Sequence, residues 1–334
     1  MSLGADYVIE PPQQADAAGI ARCFVQVYGH DYVHKEVFSP LRYWPKVASG
    51  ELIPMVARDL SGQVVGHVAL ERGPGTKVAE RGEAVVIAEH RGHGLLERMT
   101  ERLWEKALEH HLESVYAEPL TIHTFSQRND EHAGMPVCAA LLGVNPESFG
   151  PKNLPGPRLG QRQSYLRTFK FLSKPAPRTI HVPRYYHEVV MELYSALGAA
   201  AASALPHCPH VQESKNTITV NDRGHAVIDF EAIGAGAGAE LQRAFHDVQA
   251  SGAMSVQLSL RLDDPGLPEL CETARDLGFF FSGLGPAFAE GADTLLLQWL
   301  GEPLDTNKLQ LFSDGAKRLI AFIDRDRIKA AAPD

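Results

Sequence analysis

The chain has 334 residues, beyond the size of about 250–300 at which one hydrophobic core stops growing, so two domains are expected. Apolar residues make up 44% and charged residues 22%, which excludes general disorder, and a formal charge of −9 excludes nucleic acid and anionic membrane as main partners. Four scattered cysteines (Cys23, Cys138, Cys208, Cys271) suit reduced thiols; with no basic-then-apolar N-terminal segment and no run of membrane-spanning length, a cytoplasmic protein is expected.

In chain order, residues 16–29 read as a helix, with Ile20, Phe24, Val27 and Tyr28 at helical spacing. The runs 52–58 and 64–71, joined by the polar turn Asp59-Leu-Ser-Gly-Gln63, read as a hairpin. A strand beginning near Glu83 ends at Ala88 in the turn Glu89-His-Arg-Gly-His-Gly94. From about Gly94 to His110 a helix carries Leu95, Met99, Leu103 and Ala107 on one stripe. Residues 114–123 read as a strand region, Val137–Leu142 as a short helix stopped by Gly143, and 163–171 as a strand. Two prolines in Leu172-Ser-Lys-Pro-Ala-Pro-Arg178 mark a seam.

Beyond the seam the theme repeats. A helix at 185–197 precedes a hairpin of 216–220 and 226–230 about the turn Asn221-Asp-Arg-Gly224. Helix 240–250, strand 255–260, helix 268–277 and the strands 277–281 and 293–299 follow, and a last helix spans 313–328, expected to pack within the molecule. The run Gly234-Ala-Gly-Ala-Gly-Ala239 falls where the first half has its glycine turn, but it lacks an arginine and reads equally as a linker. His207-Cys-Pro-His210 has no second cluster to complete a tetrahedral zinc site and reads as a loop, so no metal is expected.

The stretch from Glu83 to Met99 announces a chemistry. Gly92 and Gly94 permit a tight turn whose N–H groups converge, and the helix behind adds its positive dipole end, a cradle for a diphosphate. A Walker loop and a dinucleotide fingerprint both fail, because no Gly-Lys-Ser/Thr follows Gly94 and position 97 is Glu. A plain strand-to-helix turn is the competing reading. Arg91, Gly92, His93, Gly94 and Leu95 after an apolar strand resemble the pyrophosphate loop of the GNAT N-acetyltransferase superfamily, with Leu96 standing where its last small residue belongs. The element order of residues 6–172 resembles that superfamily too.

The resemblance implies an α/β (α+β) fold of two GNAT-like domains, 1–174 and 175–334, each a mixed, largely antiparallel sheet flanked by helices, the second degenerate. It implies acetyl-CoA, or another acyl-CoA, as co-substrate and a small-molecule amine as acceptor by direct transfer. Val86, Ile87 and Ala88 would line the pantetheine arm, and Arg91, Gly92, His93, Gly94, Leu95 and Leu96 would hold the pyrophosphate, with Ser126 also near the cofactor. Glu83, His123 and Glu118 are the candidate bases. No tyrosine lies in 129–143 to act as acid, which leaves Cys138, Ser126, Tyr165 or water. The second half would shape the acceptor pocket or make a homodimer. A non-catalytic acyl-CoA-binding regulator is the alternative function.

Overall fold

The computed structural model describes residues 7–30, 32–149, 158–204, 213–289 and 291–331. The first half runs β1 (Tyr7–Glu10), α1 (Ala17–Tyr28), α2 (Pro40–Ser49), β2 (Leu52–Asp59), β3 (Val64–Glu71), β4 (Val78–Val86), α3 (Leu95–Glu109), β5 (Ser114–Ala117), α4 (Phe125–His132), β6 (Val137–Asn145) and β7 (Gln163–Phe171). The second runs β8 (Arg178–Ile180), α5 (Arg184–Ala196), β9 (Ala201–Ser203), β10 (Lys215–Val220), β11 (His225–Ala232), α6 (Ala237–Ala250), β12 (Ser255–Arg261), α7 (Leu267–Asp276), β13 (Phe280–Ala289), β14 (Ala292–Leu300) and α8 (Asp314–Ala331).

Twelve strands form one sheet in the order β1-β2-β3-β4-β5-β7-β6-β13-β14-β12-β11-β10, and β8 pairs β9 separately. All neighbours are antiparallel except β4–β5 and β11–β12. The fold is therefore mixed α/β, a large and mostly antiparallel sheet flanked by helices. From β3 to β7 and from β10 to β14 the chain traces one pattern. Each half has a hairpin, a helix, a strand parallel to the second hairpin strand, a second helix and an antiparallel pair. The halves meet antiparallel where β13 registers Gly283 on Ala139 of β6.

Two cores follow from this. One lies under β2–β5, with α1 and α3 supplying Ile20, Phe24, Met99 and Leu103. The other joins β11–β14 to Val137, Cys138, Ala140 and Leu142 of β6 and to Leu166 and Phe169 of β7. Helix α8 packs across the junction on β6 and β13. Its buried Asp326 accepts from Tyr186 Oη of α5 and from the Phe281 amide of β13, both at 2.8 Å.

The sequence reading fails at one place. Val137–Leu142 is strand, not helix, because β6 lies buried between β7 and β13 and is apolar on both faces. A short apolar run of this kind carries no period that separates a buried strand from a helix. The helix of this region is α4, over residues to which the sequence reading assigned no element, and the strand read over 114–123 ends at Ala117. Residues 207–210, read as a loop, lie outside the described residues.

Candidate functional site

Strands β4 and β5 pair in parallel only where Val78–Glu80 face Ser114–Tyr116. Strand β4 then runs on to Val86 while β5 stops at Ala117, so β5 pairs with none of residues 81–86 and the two strands part there. At the far end of β4 the chain passes a single 3-10 turn (Ala88–His90) and enters α3 through Gly92 (φ +82°) and Gly94 (φ +66°), in the left-handed region that glycine tolerates. Gly94 is the N-cap and has no side-chain cap. Arg98 makes the first helical bond, to the Gly94 carbonyl, so the N–H groups of residues 92 to 97 bond no described group. Six amide donors at a positive helix end, beside the exposed Arg91, form a ready anion site. Leu96 is partly buried and packs onto the first core, so its bulk turns away from this cradle.

A bulge in β4 sets the other end. His67 pairs Val85 and Ala69 pairs Gly82, so Glu83 and Ala84 oppose Val68 alone. Glu83 has φ +48°, rare for a side-chain-bearing residue. Strand alternation would put Arg81 and Glu83 on one face. Arg81 does bond Thr100 of α3 and the pair Asn129 and Asp130 of α4. The bulge turns Glu83 to the opposite face, toward His67 and His34.

His67 holds the bulge in place. Tyr43 Oη donates to its Nε2 (2.7 Å), and in that tautomer Nδ1–H donates to the Glu83 carbonyl (2.8 Å). Burial holds the imidazole down to about 4, so it is neutral. The Glu83 side chain is 1% exposed and neither carboxyl oxygen has a hydrogen-bond partner. His67 Nε2 stands 3.9 Å away and His34 Nδ1 4.0 Å away. Burial, with Glu71, Glu36 and Glu80 nearby, pushes this carboxyl up to about 8.

Other acids share the face. Glu71 of β3 lies directly across from Glu80 of β4, whose carboxyl burial and Glu118 raise to about 7. Lys46 of α2 donates to Glu36 and to Glu71 (2.6 Å). Tyr116 Oη donates to Glu80 (3.3 Å), and Arg167 of β7 donates twice to Glu118. Tyr32 stacks on Tyr28, and burial and Glu83 raise its hydroxyl well above the usual phenol range. The second half adds a wall, since Phe288 of β13 lies against Tyr116 (4.9 Å) and Arg167 (4.6 Å). Asp293 of β14 fixes that corner by accepting from the Ala287 amide and from Tyr194 Oη.

The structure thus brings Glu83 and Glu118 to one face, through Glu80, but Glu118 is held by Arg167. His123 lies elsewhere, in the turn before α4. Its carbonyl accepts from Gln127, its ring meets Phe125, and burial lowers its pKa. Ser126 sits half-buried on α4, Cys138 is buried with its thiol on the Arg167 carbonyl, and Tyr165 accepts from Asn145. Ile87 is a core residue whose amide bonds Val65, Val86 is half-buried and accepts from Arg91 Nε, and Ala88 is exposed. Sequence reading passed over Tyr32, His34, Glu71 and Glu80.

No protein-family model matches the chain, and no curated protein matches its sequence. Solved structures do match. An N-acetyltransferase from Staphylococcus aureus Mu50 is 12% identical with a TM-score of 0.41, over 51% of this chain and 100% of that one. A putative acetyltransferase from Salmonella typhimurium, solved with its cofactor acetyl-CoA, is 17% identical with a TM-score of 0.41, over 52% and 97%. A spermidine/spermine N-acetyltransferase from Vibrio cholerae, in complex with manganese ions, is 17% identical with a TM-score of 0.40, over 52% and 96%.

Proposed function

We propose that the chain is an acyl-CoA-dependent N-acyltransferase of the GNAT type, transferring an acetyl or related acyl group to a small amine. The observation that carries this reading is one cleft with two chemically opposite ends. Six free amide donors with Arg91 stand at the mouth of α3, and an unpaired buried carboxyl stands on the adjoining strand bulge.

The donors fit a pyrophosphate, with residues 92–97 as backbone ligands and Arg91 as counter-charge. A bound acyl-CoA supplies the thioester carbon that the amine attacks. Glu83 takes the proton the ammonium must lose, and its raised pKa matches that task near neutral pH. Tyr32, kept protonated beside Glu83, is our candidate proton donor to the leaving sulfur, in place of the tyrosine that α4 lacks. Burial around the carboxyl strengthens each of these charge interactions.

In this reading residues 1–174 carry the site and 175–334 are a repeat without one. The repeated strand order supports the duplication. Where the second phosphate loop would fall, the amides of Ile233 and Gly234 are already bonded to Asp264 and Ser214, and no arginine stands there.

Calorimetric titration with acetyl-CoA tests the assignment. Wild type is expected to bind, and Arg91→Ala to bind about tenfold more weakly, the loss of one charge-assisted contact of about 1.5 kcal/mol. Leu96→Ala is expected to stay within about threefold of wild type, because that side chain packs inward. Absence of binding by wild type would overturn the reading, and binding without acyl transfer across an amine panel would favour a regulatory acyl-CoA sensor.

A further inference from the structure

Among the described residues, the face around Glu83 gathers more carboxyl groups than cations. Five carboxyl groups (Glu36, Glu71, Glu80, Glu83, Glu118) share it with two fixed cations (Lys46, Arg167). Two of the five, Glu80 and Glu83, have no ion pair with a fixed cation. Burying such groups without a counter-ion costs free energy, so the fold retains them against stability.

Exposure is graded along the cluster. The side chains of Glu71, His34 and Lys46 are 31–34% exposed at the mouth, Glu36 is 17% exposed, and Glu83 is 1% exposed at the floor. The unpartnered oxygens of Glu83 therefore lie beneath the more exposed Glu71, His34 and Lys46. Lys46 already shows the species that this cluster accepts, since its ammonium is held between Glu36 and Glu71. Aromatic rings line the rest, with Tyr28 and Tyr32 stacked on one side and Tyr116 and Phe288 in contact on the other. Rings of this kind hold both an alkyl chain and a cation.

We propose that the acceptor is a linear aliphatic diamine or longer polyamine, which uses one nitrogen at Glu83 and Glu71 and a second, still charged, at Glu80. Glu80 and Glu83 share the face and are separated by at most ~10 Å of strand, the scale of a short diamine. The inference rests on the acyltransferase reading. In the transfer, the reacting ammonium gives its proton to Glu83, its nitrogen forms the C–N bond, the C–S bond breaks, and the thiolate is reprotonated. The second ammonium stays paired with Glu80 throughout, which makes Glu80 a specificity residue rather than a catalytic one. His34, Glu36, Glu71 and Glu83 also present ligand atoms within 4.8 Å of one another, the set a divalent ion would use. Lys46 occupies two of those carboxylates, which favours the ammonium.

The experiment compares 1,4-diaminobutane with 1-aminobutane by calorimetry on the full chain, free of and saturated with acetyl-CoA, and in steady-state transfer. The diamine is expected to bind at least tenfold more tightly. Glu80→Gln is expected to reduce the diamine to the monoamine's affinity, raise KM for the diamine with little change in kcat, and leave acetyl-CoA affinity unchanged. A melting curve matching wild type verifies that this variant folds. Equal affinity for the two amines, or no effect of Glu80→Gln, overturns the inference. So does manganese binding that His34→Ala abolishes in a protein that takes up neither amine. If acetyl-CoA still binds in these cases, the acyltransferase reading survives. If acetyl-CoA fails to bind while the diamine binds, that reading falls and the amine site stands as a binding site only.

Discussion

Glu83→Gln is expected to lower kcat for acyl transfer by roughly one hundred- to ten-thousand-fold, the range for loss of a positioned base. Acetyl-CoA affinity should stay within about twofold, because the phosphate donors lie on another segment. The same variant should be more stable than wild type. The Glu83 carboxyl sits at about 8 in the folded protein, above its value in an unfolded chain. A group raised on folding contributes its full stability below the unfolded pKa and loses it as pH rises to the folded one. Wild type should therefore weaken between about pH 4.5 and 8 on account of this residue, whereas Gln carries no charge to bury. The melting temperature of Glu83→Gln should exceed that of wild type by about 3–5 °C at pH 8.5 and by little at pH 5. In wild type, kcat/KM should rise with pH along a limb near 8 that the variant lacks. A variant that keeps its rate, or one that melts below wild type at pH 8.5, would count against Glu83 as an uncompensated base.

Gly283→Ala should be the most damaging small substitution in the sheet. Gly283 has φ +143°, and a Cβ there would lie 2.3 Å from the Cys138 carbonyl oxygen and 2.4 Å from the Ala139 Cα. Both are backbone atoms of β6, which cannot rotate away. Overpacking and backbone strain of roughly 1–3 kcal/mol each set a cost of about 4 kcal/mol. A melting temperature lower by on the order of 5–10 °C is expected, with earlier proteolysis between the halves. A shift under 2 °C would show that β6 and β13 are not in contact as described.

How much of this was legible before the structure varies by element. Helices α1 and α3 and those of the second half follow from periodicity, because each has one face in water and one in the core, and the hairpins follow from their turn residues. Strand β6 was misread because it is central and apolar throughout. The glycine cradle was legible as a motif, since Gly92 and Gly94 are needed at positive φ. Glu83 could be named, but its conformation could not, because a glutamate gives no local cue for a left-handed bulge. Its companions Glu71, Glu80 and His34 come together only through β3–β4 register and the segment after α1. The wall at Phe288 comes from the other half of the chain.

The junction of β6 with β13 has one further consequence. Matching edges meeting antiparallel is how the two protomers of a two-fold dimer join, and such a dimer dissociates on dilution. Carrying both edges on one polypeptide fixes the local concentration of each half near the other, on the order of millimolar for a short tether, whatever the amount of protein in solution. Specific activity should therefore be independent of protein concentration. Covalent joining also permits asymmetry. In a dimer of identical chains, any change that closed one phosphate loop or reshaped one Phe288 would appear in both copies. Here the amides of residues 92–97 stay open while those of Ile233 and Gly234 are spent on hydrogen bonds, and Phe288 of β13 stands against Tyr116 and Arg167 of the other half.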